Sequence, residues 1–315
     1  MSGRFELLTG CDAARCDLHD RGKLQLTGTD RARFLNGMVT NDVDGLAPGD
    51  ACHALQLSRQ GKVQAELVVL KLEDRLILDV APGAVSVLRE LLERHLVADD
   101  VTIEELGGLW GHVGLEGPGV LPRLRERKLP QPAADGIACQ DLKGEFLVWL
   151  GGGSLGDEGV QVMGPRAAVE RVVATLDLQP VPDALAELLR IESFRPRFGV
   201  DFGERNVANE LQLERALSFA KGCYLGQEVV ERLRSRKAVR RLLCQIRTER
   251  PVDRGARICV DDAEVGEITS AANSSVTGPV ALGYVRAQHA RPGVRLAVDG
   301  TSGVITGPSS SAAAP

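Results

Sequence analysis

The sequence predicts an α+β protein with a mixed α/β body to about residue 235 and a small all-β module after it. Three observations predict this. In the body, helical spacing, such as apolar residues at 85, 88, 91, 92 and 96, alternates with short strand-like runs. After residue 238 the helical spacing stops, and short β-like runs recur between Gly, Pro and Asn turns, the pattern of a small barrel. Apolar residues make up 43% of 315 residues, enough for two domains, or three small ones.

The elements follow in order. Gly22–Gly28 reads as a strand, and Asp30 as the cap of a helix from Arg31 to Met38. Ala51–Ser58 and Val63–Leu72 read as strands around a Gln60-Gly61-Lys62 turn, and Leu76–Val80 as another. Ala84–Leu96 is a helix; Val101–Leu106, Leu109–Leu115 and Phe146–Leu150 are strands. Pro165 and Pro182 open helices running to about Leu176 and Ser193. The barrel strands are Val239–Thr248, Arg257–Val260, Val265–Ser270, Val280–Val285, Val294–Val298 and Gly303–Gly307. The tail after them holds only Ser, Ala and Pro, a composition that predicts disorder.

Aromatics at 3% leave the core to Leu, Val and Ala. A net charge of −5 argues against a general nucleic-acid binder. No basic leader precedes an apolar stretch and no uncharged run reaches about 20 residues, so a cytoplasmic protein away from membranes is expected. The seven cysteines (11, 16, 52, 139, 223, 244, 259) contain no Cys-x-x-Cys pair, and the five histidines have no metal-ligand spacing, so no metal site is expected.

Gly151-Gly152-Gly153-Ser154-Leu155-Gly156 matches Gly-x-Gly-x-x-Gly after a strand. A dinucleotide site also needs a helix starting at the glycines, whereas Asp157–Met163 reads as loop and strand, so a flexible turn is expected. The basic run Arg232 to Arg241 reads as mostly solvated, with Arg232 functional. Lys221-Gly222-Cys223-Tyr224-Leu225-Gly226-Gln227-Glu228 precedes a possible helix from Gln227 to Leu233. The helix N-terminus and Lys221 would favour a Cys223 thiolate, while a tight loop with an inert cysteine explains the segment equally well.

That octapeptide resembles the signature Lys-Gly-Cys-(Tyr/Phe)-x-Gly-Gln-Glu of the YgfZ family, relatives of the glycine-cleavage T-protein. Thr40-Asn41-Asp42-Val43, Gly61-Lys62, Arg190-Ile191-Glu192, Gly199-Val200-Asp201, Gly266–Ser270 and Ala281–Val285 resemble further elements of that family, and Arg232 stands where it carries an arginine. The resemblance implies three domains in a ring: a discontinuous folate-binding domain over 1–50 and 110–235, a second α+β domain over 51–109, a C-terminal β-barrel over 236–307, and a disordered tail over 308–315. It implies tetrahydrofolate or a derivative as ligand, contacted by Glu192, Asn41, Asp42, Tyr224, Gln227 and Arg232, with Cys223 and Lys221 as the functional motif. Glu192 would accept N–H donors from the pterin edge. The implied role is support of iron–sulfur cluster assembly or repair, with iron–sulfur enzymes or assembly proteins as partners. One departure matters. T-proteins carry an Asn-Ala segment and a catalytic Asp after the strand matched by Leu76–Val80, where this sequence has Ala81-Pro82-Gly83-Ala84, and Asp79 lies inside the strand. This favours a binding protein over the alternative, a folate-dependent aminomethyltransferase or demethylase.

Overall fold

Along Val63–Lys71 the side chains of Val63, Ala65, Leu67 and Val69 are fully buried and those between them are not, the alternation of a strand. In the computed structural model, which describes residues 2–308, such strands form two five-stranded sheets and a closed barrel. The elements in chain order are α1 (Ser2–Thr9), β1 (Ala14–Asp17), β2 (Gly22–Thr27), α2 (Arg31–Met38), β3 (Ala51–Leu57), β4 (Val63–Lys71), β5 (Leu76–Val80), α3 (Val85–His95), β6 (Thr102–Glu105) and β7 (Trp110–Glu116). Then come α4 (Val120–Glu126), β8 (Ile137–Leu142), β9 (Glu145–Gly151), β10 (Gly159–Pro165), α5 (Arg166–Ala174), α6 (Asp183–Glu192) and α7 (Gln227–Ser235). The barrel strands are β11 (Arg241–Thr248), β12 (Arg257–Val260), β13 (Ala263–Ser274), β14 (Gly278–Arg286), β15 (Arg295–Val298) and β16 (Thr301–Gly307). Apart from Pro308, the tail expected to be disordered lies outside the described residues.

The chain divides into two units. The first runs to Leu57 and includes Gln64–Pro182 and Arg215–Leu225; the second comprises Ser58–Val63, Asp183–Glu214 and the chain from Gly226 on. In the first unit one sheet has the order β1-β7-β10-β9-β8, the other β3-β4-β5-β2-β6. α4 and α5 cover the first sheet through Val120, Leu124, Val169, Val172 and Val173, packed on Leu115, Trp149 and Val162. Ala51, Leu70 and Ile77 of the second sheet meet Val148, Leu150 and Met163 of the first in one core.

The second unit holds the barrel, in the order β11-β14-β13-β12-β15-β16, filled by Ile246, Ile258, Ile268, Val285 and Ile305. Register shifts at Gln245/Ile246, Ile258/Cys259 and Ile268/Ser270 supply the local twist that barrel closure needs. The 60–62 turn is tight at Gly61, whose φ of +72° and whose Cβ position, 2.9 Å from Val229, both exclude a side chain.

Three expectations differ in detail. Asp30 makes no side-chain cap on α2; its carboxylate accepts the Asp100 N–H and pairs with Arg33, so tertiary partners take it from the helix. Gly22–Thr27, expected with the 1–50 and 110–235 region, pairs instead with β5 and β6, a register that buries Leu24 and Leu26 and sets Lys23 opposite Asp79. Residues 183–214 and 226–235, also expected there, group with the barrel, onto which α6 packs.

Candidate functional site

α6 ends the Arg-x-Glu element, and its two charges go to different jobs. Arg190 is buried. It donates to Asp201 at 2.8 Å, to Ser270 at 2.7 Å, and to Glu187. Asp201, whose side chain is wholly buried, also accepts from Arg197 N–H, Thr269 and Ser270. This saturated hub fixes the end of α6 and the Gly199–Asp201 loop to β13. Glu192 is buried too, not a solvated helix-face charge. Its carboxylate pairs with Arg247 of β11 at 2.5 Å and accepts the Thr277 hydroxyl at 2.7 Å. Gln245 ties down the backbone beside it by donating to the carbonyls of Ile191 and Glu192. Arg247 and Thr277 thereby fix the direction of the Glu192 carboxylate, whose oxygens accept N–H and O–H donors.

In the first unit, the turn after α2 and the loop around Cys223 are joined. Thr40 is fully buried; its hydroxyl donates to Ala216 O at 2.6 Å and accepts from Leu55 N–H. Asn41 donates to the carbonyls of His53 and Arg215 and accepts Asp42 N–H, while Asp42 accepts Gly45 N–H. The Lys221 ammonium donates to three carbonyls, Asn36 O at 2.5 Å, Val39 O at 2.9 Å and Asn41 O at 2.7 Å. It also stands 5.2 Å from the Tyr224 ring centroid, a cation–π contact. Burial lowers its pKa to about 8, with Asp42 and the Cys52 thiol partly opposing that shift. Cys223 is exposed and Tyr224 buried. Burial pushes the thiols of Cys52 and Cys244 up to about 12, and that of Cys16, beside Glu116, likewise.

Gln227 and Arg232 lie on α7 in the second unit; Arg232 is half-exposed with Glu228 3.8 Å away. Gly226, at φ +86°, starts that helix in the left-handed region only glycine adopts freely. Thus Lys221, Asn41, Asp42, Cys223 and Tyr224 belong to one unit and Glu192, Gln227 and Arg232 to the other.

Two clusters escaped the sequence reading. Between the sheets of the first unit, Asp79 meets Lys23 at 2.7 Å and Arg21 at 2.6 Å, Arg21 reaches Glu66, and Glu66 accepts from His53 at 2.7 Å. Burial alone would raise the Asp79 carboxyl, but Arg21, Lys23 and His112 outweigh it and hold the group well below the usual carboxylate range. Glu66 is lowered the same way, burial being overcome by Arg21 and His53, while burial and Lys23 keep the His112 pKa low. The second cluster settles the glycine-rich loop. Residues 152–158 contain no helix, and buried Glu116 accepts Ser154 N–H, the Ser154 hydroxyl and Leu155 N–H. The loop's donors embrace the protein's own carboxylate where a dinucleotide site would offer them to phosphate. Among the described residues no group of three or more His, Cys, Asp or Glu is arranged to hold a metal ion, and no helix is long and apolar enough to cross a membrane.

Residues 9–127 match the GCVT N-terminal domain and residues 240–306 the glycine cleavage T-protein C-terminal barrel domain. The chain carries both domains of the glycine cleavage T-protein type. The crystal structure of glycine cleavage system aminomethyltransferase T from Bartonella henselae superposes with a TM-score of 0.87 at 19% identity, covering 96% of this chain and 87% of that one. That likeness establishes the GcvT-type fold, mixed α/β domains with a closed six-stranded barrel. A putative chloroplast transferase of Arabidopsis thaliana is 27% identical over 92% of this chain and 69% of its own length. A probable aminomethyltransferase of Natronomonas pharaonis is 27% identical over 91% of this chain and 83% of its own.

Proposed function

We propose that this protein binds tetrahydrofolate or a derivative and acts in the cytoplasm as an accessory factor for assembly or repair of iron–sulfur clusters in client enzymes, without running aminomethyl transfer. The observation that carries this reading is the end of β5. The Ala81-Pro82-Gly83-Ala84 segment has no carboxylate, Ala81 and Ala84 are buried, and the one acid of the strand, Asp79, is engaged by Arg21 and Lys23. A group moving a proton at a folate nitrogen must reach it by hydrogen bond, and an ionised carboxylate locked between two cations does not. Bound folate would supply a one-carbon carrier; the chain's part is to hold it.

Glu192 is assigned to the pterin edge. Its carboxylate is held by Arg247 and Thr277, and an incoming pterin would donate N–H groups to the oxygens it shares with them. Asn41, Asp42, Tyr224, Gln227 and Arg232 are assigned to folate contacts by the same resemblance, and exposed Cys223 to exchange with the iron–sulfur partner. The second reading, a folate-dependent aminomethyltransferase or demethylase, has the aminomethyltransferase names of relatives at 27% identity in its favour.

Calorimetric titration with tetrahydrofolate tests the binding. Glu192→Gln should weaken it by about 1.5–3 kcal/mol, the range for a hydrogen bond to a charged group. Equal affinity removes Glu192 from the site. Turnover with an aminomethylated lipoyl carrier and tetrahydrofolate separates the readings: no methylene-tetrahydrofolate above background is expected, and a rate of about 1 s⁻¹ or more, ordinary for enzymes, selects the transferase. Cys223→Ala should fold and fail to restore iron–sulfur enzyme activity in cells lacking the protein.

A further inference from the structure

The last carbonyls of an α-helix have no partner within it and need one from outside. α2 ends at Met38, and its terminal carbonyls are met by a segment some 185 residues later. Asn36 O accepts from the Lys221 ammonium, and Gly37 O from Leu225 N–H. The pentapeptide Lys221–Leu225 is therefore pinned at both ends to one helix terminus, with exposed Cys223 at its midpoint. The same ammonium continues to Val39 O and Asn41 O, past the helix and into the turn that presents Asn41 and Asp42. A cation suits this place because the C-terminal end of a helix carries partial negative charge.

We infer that Lys221 is a positioning residue, not an activator of the neighbouring thiol: it makes the Asn41–Asp42 turn and the Cys223 loop one mechanical piece, so that folate bound at the turn is sensed at the Cys223 sulfur. All three ammonium protons are committed to carbonyls. Its pin spans both segments, and displacing the Asn41 carbonyl disturbs the contact that fixes one end of the cysteine loop. Deprotonation leaves two N–H donors for three acceptors and turns a lone pair on the third. The pin must therefore slacken as pH passes about 8. The ligand half of the inference rests on the folate reading above; the coupling of the two segments does not.

The test reads Cys223 alkylation by iodoacetamide, mapped by mass spectrometry, in wild type, Lys221→Met and Lys221→Ala. Without folate, Lys221→Met should label Cys223 at least threefold faster and raise hydrogen exchange at Leu225 together with Val43 and Gly45. Propylammonium added to Lys221→Ala should restore the slow rate below pH 8 and lose that effect above it, a signature that loss of folding would not give. With tetrahydrofolate at saturation, confirmed by calorimetry, wild-type labelling should slow at least threefold and Lys221→Met labelling should not change. Exchange that rises in one segment alone, or no propylammonium rescue, overturns the pin. An equal folate effect in wild type and Lys221→Met, or none in wild type at proven saturation, overturns the sensing. If wild type binds no folate, the folate reading and the sensing both fall, and the ligand-free arms still decide whether Lys221 couples the two segments.

Discussion

The first unit holds two ammonium groups, one buried and one half-buried, in opposite ways. Lys23 lies in a sheet, cross-strand from Asp79, and its charge meets a full negative charge at 2.7 Å. Lys221 lies in a loop and meets the dipoles of three carbonyls. Burial lowers the pKa of both, and in each case acidic groups partly oppose the shift. What differs is what each ties together. Lys23 locks strands whose register the sheet already specifies, while Lys221 joins two irregular segments, adding to the Thr40–Ala216, Asn41–Arg215 and Leu225–Gly37 contacts between them. A buried ion pair is expected to matter for stability when broken, and a dipole-bound ammonium for local order.

The largest effect should come from breaking the ion pair on one side. Asp79→Asn keeps the shape and leaves Lys23 and Arg21 buried without their main counter-charge, which typically costs about 3–5 kcal/mol. Urea unfolding measures it. Joint replacement, Asp79→Leu with Lys23→Met, should recover only part of the loss, because it removes the desolvation cost of those two charges but leaves Arg21 with Glu66 as its remaining counter-charge. If Asp79→Asn unfolds at the wild-type midpoint, the network is not the structural lock described here.

The sequence made the α+β plan legible because β4, α3 and α5 are strongly periodic and β5 is a short run rich in Leu, Ile and Val. It hid β1 and β8. β1 has four residues, two of them charged, and β8 is a half-exposed edge strand whose alternation is blurred by Cys139, Gln140 and Asp141. The residues of the candidate site were legible only as types. Arg247 and Thr277 lie 55 and 85 positions from Glu192, and no local pattern links them. Lys221, two residues before Cys223, reads as a charge for the thiol, yet a side chain's direction is set by tertiary contacts, and this one turns to α2. Glu116 looks like an ordinary strand-end acid until the glycine loop closes on it.

A middle-sized effect is acid lability in two stages. His112 has a folded pKa below its ordinary 6.5, so the unfolded chain binds more protons as pH falls past 6.5 and stability declines. Asp79 and Glu66 have folded values below their ordinary 3.8 and 4.5, so the stability they contribute is complete above those values and is lost as pH falls through the folded ones. Thermal midpoints should therefore drop below about pH 6.5 and drop again below about pH 4.5. His112→Gln should erase the first stage and leave the second, and an unchanged first stage would assign it to another group.

The smallest effect sharpens the contrast most, because at Lys221 global stability and local order should move in opposite directions. Its ammonium titrates near 8 in the folded chain and at the ordinary 10.5 when unfolded. Between those values the unfolded state holds more protons, so stability attributable to this residue rises with pH. Over the same interval the pin loses one of its three hydrogen bonds. Thermal midpoints compared between wild type and Lys221→Met from pH 7 to 10.5 should show wild type gaining relative to the variant. Hydrogen exchange at Val43, Gly45 and Leu225 in wild type should meanwhile rise beyond its intrinsic pH dependence. Lys23, tied to Asp79 in the sheet, has no comparable loop to release, so amides of β2 and β5 should keep their protection across the same range. Loosening of both regions together would mean that alkali acts on the unit as a whole, and the distinction between a cation held by charge and one held by dipoles would lose its dynamic meaning.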